Sequence, residues 1–332
     1  MTASAPIAIV GAGRMGRGIA LAFAYAGLPA LIIDLKPRDA GQRAALAADI
    51  QREIAADLDT LQELEVIDGS QADGIAARIR FAPAAAFNGL TVDAEVVFEA
   101  VPEVMAVKRE AMAWMDAHFA AGTPLASTTS TFTVTELAAL TARPADFLNA
   151  HWLNPAHIMP LVELSLHAGT AAGTLARVRG LLERIGKVPV TCKAAPGYIV
   201  PRLQTLLMNE AARMVEEGVA SAEEIDKATR YGLGFRFASL GVAEFIDFGG
   251  SDILYYASRY LTETLGNERY ASPPIVAGLM ERGELGFKSG RGLSDYAGAD
   301  LPALRRDILR RTLRMLDFTG LSRPPGSALP PA

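Results

Sequence analysis

Between Ile7 and Asp34 the chain reads IAIVGAGRMGRGIALAFAYAGLPALIID, an apolar run, a glycine-spaced turn, a helical stretch and a second apolar run that ends on an acid. Gly11, Gly13 and Gly16 fit G-x-G-x-x-G, with Met15 inside the turn. The first glycine allows the tight turn, the second lets the backbone approach a pyrophosphate, and the third lets helix and strand pack closely. The helix that follows aims its unpaired N–H groups and positive dipole end at the phosphates. Asp34, closing the second run, can accept both ribose hydroxyls and repel a 2′-phosphate, so NAD is expected rather than NADP. Glycines alone would fit a surface turn. It is the two flanking strands and the acid that make the turn a dinucleotide site.

Composition bounds the rest. A chain of 332 residues exceeds what one core organises, so two domains are expected. Half the residues are apolar and 21% are charged, a globular balance. The formal net charge of −5 argues against a nucleic-acid or anionic-membrane surface. Cys192 is the single cysteine, which excludes an intrachain disulfide framework and any multi-cysteine metal site; no metal is expected. Its apolar surroundings, KVPVTCKAA, read as those of a buried, inert thiol. The first strand starts close to Met1, without a sorting signal, and Arg14 and Arg17 interrupt the longest apolar stretch, so a soluble cytoplasmic protein is expected.

Strand-like runs alternate with amphipathic segments up to about Cys192: Ile7 to Val10, Ala30 to Asp34, Glu95 to Ala100, Pro124 to Ser127, Phe147 to Trp152, Met159 to Leu164 and Val188 to Cys192. Such alternation implies an α/β Rossmann domain, a mostly parallel sheet with helices on both faces. Beyond the breaker cluster Ala194 to Gly197 the pattern becomes long helices, Arg202 to Glu217, Ser221 to Arg230 and Ala243 to Leu265, so an all-helical C-terminal domain should follow. The expected organisation is a cofactor domain over 1–193, a helical substrate and dimerisation domain over 194–297, and a C-terminal helix with a proline-rich tail over 298–332.

The middle of the chain holds more than a bare cofactor domain needs. STTSTFTVTEL includes Ser130, and AHWLNPAHIMPLVEL includes His151, Asn154 and Glu163. With EAVPEVMAVK upstream, these segments resemble the 3-hydroxyacyl-CoA dehydrogenase family, and the resemblance runs from about Ile7 to Tyr296. It implies that Ser130 hydrogen-bonds the reacting oxygen, that His151 is the general base, that Glu163 orients it, and that Asn154 sits near the nicotinamide. Glu103 and Lys108 would then lie beside the cofactor ribose, and the helical domain would form a homodimer. The chemistry suits the residue types. Oxidising a secondary alcohol sends a hydride to the nicotinamide and a hydroxyl proton to a base, and neutral histidine takes protons near pH 7. A carboxylate on the far ring nitrogen fixes the tautomer and stabilises the imidazolium. His157 and His167 lack such company and read as structural.

Three departures bear on substrate. Where the family usually reads G-F-x-x-N-R, this chain has GYIVPRLQ, and Pro201 stands at the asparagine position with neither donor nor side-chain acceptor. Proline fits the first turn of a helix. Gln204, one turn on, is a candidate substitute, with an exposed helix residue as the plainer alternative. RYGLGFRFASLGVAEF is similar to the branch acting on free 3-hydroxy acids, represented by gulonate 3-dehydrogenase and carnitine 3-dehydrogenase. Arg236 there either grips a substrate carboxylate or pairs internally with Glu244 or Asp247. Where the family supplies lysines to coenzyme A, AADLDTLQELEVIDGSQADGI offers Asp57, Asp59, Glu63, Glu65 and Asp68 and no lysine, which opposes a phosphate-rich ligand. The expected activity is NAD-dependent oxidation of a small, free 3-hydroxy acid to the 3-keto acid. The alternatives are a short-chain 3-hydroxybutyryl-CoA dehydrogenase, oxidation of a hydrated aromatic aldehyde, and a non-catalytic NAD-binding protein. GELGFKSGRGLSDY, from Gly283 to Tyr296, reads as a folded turn without chemistry. Partners should be small molecules and a second copy of the chain, not nucleic acid or membrane.

Overall fold

Strands that read as unbroken apolar runs are those that must bury both faces. In the computed structural model, which describes residues 5–322, eight strands make one sheet, and most of them are of this kind. They are β1 (Ile7–Val10), β2 (Ala30–Asp34), β3 (Ile79–Pro83), β4 (Val96–Glu99), β5 (Leu125–Ser127), β6 (Phe147–Trp152), β7 (Leu161–Leu166) and β8 (Val188–Lys193), in the order β3-β2-β1-β4-β5-β6-β7-β8. Ile7 and Ile9 of β1 enter one core, with Phe23, Phe98 and Trp152; Ala8 and Val10 enter the other, with Met112, Met115 and Leu137. The first core is covered by α1 (Arg14–Tyr25), α2 (Ala40–Glu63) and α3 (Gly69–Ala76), the second by α4 (Met105–His118) and α5 (Val134–Ala138), and α6 (Ala172–Arg184) adds Val178, Leu181 and Leu182 to the first.

β3 was not expected. It is an edge strand paired only with β2, its Arg80 is exposed, and it ends on a proline, so it lacks the buried run that marks its neighbours. Every pairing is parallel except β6 with β7, whose antiparallel register sets His151 opposite Glu163. Parallel strands bring the turn after β1, Glu99 of β4 and Ser127 of β5 to one carboxyl edge. The order reverses between β1 and β4, the place where open α/β sheets bind ligands.

The chain divides into units Met1–Leu207 and Met208–Ala332, a boundary inside α7 (Val200–Glu216). The helical unit continues with α8 (Ala222–Ala228), a π-helical turn Thr229–Gly234, α9 (Phe235–Ser239), α10 (Val242–Gly249), α11 (Ser251–Leu265), α12 (Pro274–Glu281) and α13 (Leu301–Phe318). The single helix expected over Ala243 to Leu265 is thus two, broken at Gly250. Its φ of 108° is open to glycine, and a Cβ there would strike the Asp252 carboxylate. Leu240, Phe287 and Ile308 form this unit's buried cluster. The Gly283 to Tyr296 segment closes around buried Asp247, whose carboxylate accepts the Leu293 N–H (2.8 Å), the Ser294 N–H (2.9 Å) and the Tyr296 hydroxyl (2.9 Å). α7 has no buried residue, and Leu206 and Met208 on it are 64% and 68% exposed. Among the described residues no helix is long and apolar enough to cross a membrane. Residues 323–332 of the proline-rich tail lie outside the described residues.

Candidate active site

The glycine turn has the shape its spacing requires. Gly11 has φ 126°, and a Cβ on it would strike the Ala100 carbonyl; one on Gly16 would strike the Gly11 carbonyl. A Cβ on Gly13 would meet nothing within 4 Å, so that glycine leaves open space where a pyrophosphate would approach. A cavity of about 630 Å³ runs over the turn, lined by Gly11, Gly13, Met15, Asp34, Glu103, Ser130 and His151 among others. These features fit a dinucleotide. Asp34 is buried at the end of β2 and accepts a hydrogen bond from Arg38 Nε at 2.6 Å. Arg17 ties α2 to the turn, donating to the Ala12 carbonyl (2.8 Å) and pairing with Asp49 (2.8 Å) and Glu53 (2.6 Å).

Behind the cavity lies a buried polar cluster. Lys108 Nζ sits 3.0 Å from both Glu99 and Glu103, and Ser127 donates to Glu99. Lys108 is therefore buried beneath the cavity rather than lining it, whereas Glu103 reaches its wall. Glu103 Oε1 accepts the Ser130 and Thr131 N–H groups, each at 3.0 Å, and the Thr129 hydroxyl. Burial pushes the Glu103 carboxyl up, but the bonds from Thr129 and Lys108 hold it below the usual carboxylate range. Glu103 thereby fixes the backbone that presents Ser130.

His151 and Glu163 meet because the antiparallel β6–β7 register makes them cross-strand neighbours. His151 Nδ1 lies 2.8 Å from Glu163 Oε2, so a proton on Nδ1 leaves the Nε2 lone pair free. Glu163 Oε1 accepts the N–H groups of Ile199 (2.8 Å) and Val200 (2.9 Å), at the start of α7. Burial raises the Glu163 carboxyl, and the bonds from His151, Val200 and Ile199 more than reverse it, holding the group below the usual carboxylate range. Gly197 (φ 77°) and Tyr198 (φ 44°) turn the chain into α7 through two left-handed residues. For tyrosine that conformation costs on the order of 1–3 kcal/mol and persists only where surroundings enforce it. Here they do: the Tyr198 ring stacks on the His151 ring at 4.8 Å and 19°.

Comparison with known proteins places the chain in a family. The model of the 3-hydroxyacyl-CoA dehydrogenase NAD-binding domain matches residues 6–195, and that of the same family's C-terminal domain matches residues 197–296. The chain belongs to the 3-hydroxyacyl-CoA dehydrogenase family. It is an NAD-dependent oxidoreductase acting on a CH–OH group. A 5-formyl-3-hydroxy-2-methylpyridine 4-carboxylate 5-dehydrogenase of Mesorhizobium japonicum is 31% identical over 92% of this chain and 95% of the relative. A probable 3-hydroxybutyryl-CoA dehydrogenase of Bacillus subtilis is 33% identical over 87% of this chain and 96% of the relative. The crystal structure of a 3-hydroxyacyl-CoA dehydrogenase from Archaeoglobus fulgidus, 30% identical, superposes with a TM-score of 0.71 over 96% of this chain and all of that one.

Within this dehydrogenase the remaining candidates are dispersed. Asn154 is exposed on the loop between β6 and β7 and lines a neighbouring cavity of about 390 Å³, with Arg14, Glu53, Asp57 and His157. Lys187 holds that loop, donating to the carbonyls of Ala156 and Met159 at 2.8 Å. Pro201 lies in the first turn of α7, and Gln204 is exposed on it. Arg236, on α9, lies over the Phe245 ring at 4.6 Å. Neither acid weighed as its partner takes it: Glu244 sits 3.6 Å from Arg311, and Asp247 is bound into its loop. Sequence reasoning missed Arg38 and Tyr198. The first lies in the loop after β2, where spacing along the chain gives no signal; the second had a tyrosine where the family shows phenylalanine.

Proposed function

We propose that this dehydrogenase oxidises a small, free 3-hydroxy carboxylate to the 3-keto acid. The observation that carries the reading is the His151–Glu163 pair on the wall of the dinucleotide cavity, with Nδ1 engaged at 2.8 Å and Nε2 available. His151 Nε2 accepts the substrate hydroxyl proton as the C–H bond releases a hydride. Glu163, anchored by two backbone amides, stabilises the resulting imidazolium and fixes its tautomer. Ser130 donates to the reacting oxygen, and its backbone is held for the purpose by Glu103. Gly11, Gly13, Met15, Gly16 and Asp34 hold NAD, which supplies the hydride acceptor when bound.

Preference for a free acid rests on charge. Arg236 is exposed and has no carboxylate partner among the described residues, leaving its guanidinium for a bidentate pair. The stretch from Asp57 to Asp68 carries five acids and no lysine, which opposes a phosphate-rich ligand, although Arg14 and Arg17 line the cavity that Asp57 shares with Asn154. Two other readings have support. The Bacillus relative's name favours a short 3-hydroxyacyl thioester, and the Mesorhizobium relative's name favours an aldehyde that also bears a carboxylate. NAD reduction across free 3-hydroxy acids, 3-hydroxybutyryl-CoA and aromatic aldehyde acids separates them. Turnover confined to the thioester would overturn the free-acid reading.

The exposed Leu203, Leu206, Leu207 and Met208 of α7 support a homodimer that covers them. Light scattering should give twice the chain mass, and Met208→Glu should lower it toward the monomer.

A further inference from the structure

We propose that Tyr198 is a positioning residue that locks the general base and the Ser130 loop into one register, through its ring on one side and its hydroxyl on the other. The inference rests on the roles given above to His151 and Ser130. It adds a residue that the dyad and the glycine turn do not account for.

The ring lies nearly parallel to the His151 imidazole, 4.8 Å away, and so occupies one face of it. Glu163 holds the ring edge through Nδ1. A hydrogen bond at one edge still allows the imidazole to swing about that contact, and an aromatic wall against one face removes the swing. The tyrosine hydroxyl works on the other partner. It donates to the Thr129 carbonyl at 2.8 Å and accepts from Asn149 Nδ2 at 3.0 Å. Thr129 precedes Ser130, and its own hydroxyl is bound to Glu103. The serine loop is therefore clamped from the cofactor side by Glu103 and from the base side by Tyr198. Asn149 is committed to the same clamp: its second amide hydrogen bonds the Phe132 carbonyl at 3.1 Å, while its Oδ1 is buried without a partner.

Burial of Tyr198 drives its hydroxyl well above the ordinary tyrosine range, so it stays protonated and keeps donating. It makes both of its bonds within the protein, so it acts through the two catalytic groups and not on the substrate.

The hydroxyl and the ring can be tested apart. Tyr198→Phe keeps the stack and removes the clamp; kcat should fall about tenfold while the NAD dissociation constant and the substrate KM stay within about twofold. Tyr198→Leu removes both and should cost roughly a hundredfold in kcat. The deciding measurement is the cycle with Ser130→Ala. If the hydroxyl acts through Ser130, adding Tyr198→Phe to Ser130→Ala should lower kcat by less than about twofold, because the group being positioned is gone. Asn149→Ala, which removes the bond to the tyrosine hydroxyl but leaves that hydroxyl bonded to Thr129, should lower kcat by less than Tyr198→Phe does and, like it, by less than about twofold in the Ser130→Ala background. Effects that multiply in full in the Ser130→Ala background, or a silent Tyr198→Phe in an otherwise active enzyme, would overturn the proposal. His151→Gln runs alongside: if it leaves turnover intact, the reading of the base fails, whereas a large loss there with a silent Tyr198→Phe removes Tyr198 alone.

Discussion

The two units dispose of their polar and apolar groups in opposite ways. In the first, Glu99 with Lys108 and His151 with Glu163 are drawn into the fold as two buried polar pairs, between two apolar cores closed by helices. In the second, buried Asp247 is spent on closing its own loop, while Ile253, Tyr256 and Tyr260 of α11 stand in solvent. The difference separates chemistry from recognition. A base that must be oriented to fractions of an ångström is built where packing and hydrogen bonds over-determine it. The carboxylate grip proposed for Arg236, by contrast, rests on an exposed group with no carboxylate partner among the described residues.

The strongest attempt to break this comparison is His151→Gln. If the first unit contains the reaction, kcat should drop by roughly two to four orders of magnitude with NAD affinity nearly unchanged. Measured turnover equal to that of the parent would take His151 out of the mechanism. Next in size is Asp34→Ser. It removes the ribose acceptor and releases Arg38, now 2.6 Å from that carboxylate, to meet a 2′-phosphate. The ratio of NAD to NADP affinity, read by titration, should fall about 10–100-fold. A ratio that stays put would mean that the ribose is held elsewhere.

Arg236→Leu sharpens the other half. The substrate KM should rise about tenfold with kcat little changed, since a carboxylate grip that is equal in ground and transition states alters binding alone. An unchanged KM for free acids would leave the exposed guanidinium as a surface charge.

How far these residues could be found beforehand follows the same division. The glycine turn, Asp34 and the His151 and Glu163 segments were legible because each is local: a run, a turn and an acid within one element. β3 was not, since an edge strand with exposed Arg80 lacks the two-sided burial that marks its neighbours. The break at Gly250 was hidden because a glycine within an amphipathic stretch reads as tolerated, and only the φ of 108° shows that the helix stops there. The role of Tyr198 is hidden along the chain for a different reason. Its hydroxyl partners stand 69 and 49 residues away, and only the folded sheet brings Thr129 and Asn149 to it.

The smallest expected effect concerns stability in acid. Glu163 is ionised in the fold below the pH at which it would protonate in the unfolded chain, despite the burial that opposes this, because His151, Val200 and Ile199 bond to the carboxylate. Between those two points the unfolded state binds more protons, so stability rises with pH there. The stabilisation is complete above the ordinary glutamate range and is lost as pH falls through the depressed folded value. Glu163→Gln cannot titrate. Its thermal midpoint, followed from neutral pH into acid, should start lower than that of the parent and decline less steeply on the acid side. Parallel declines would mean that the dyad carboxylate contributes nothing to acid lability, and that the share of the first unit lies with its other carboxylates held below the usual range, Glu103, Asp49 and Glu136.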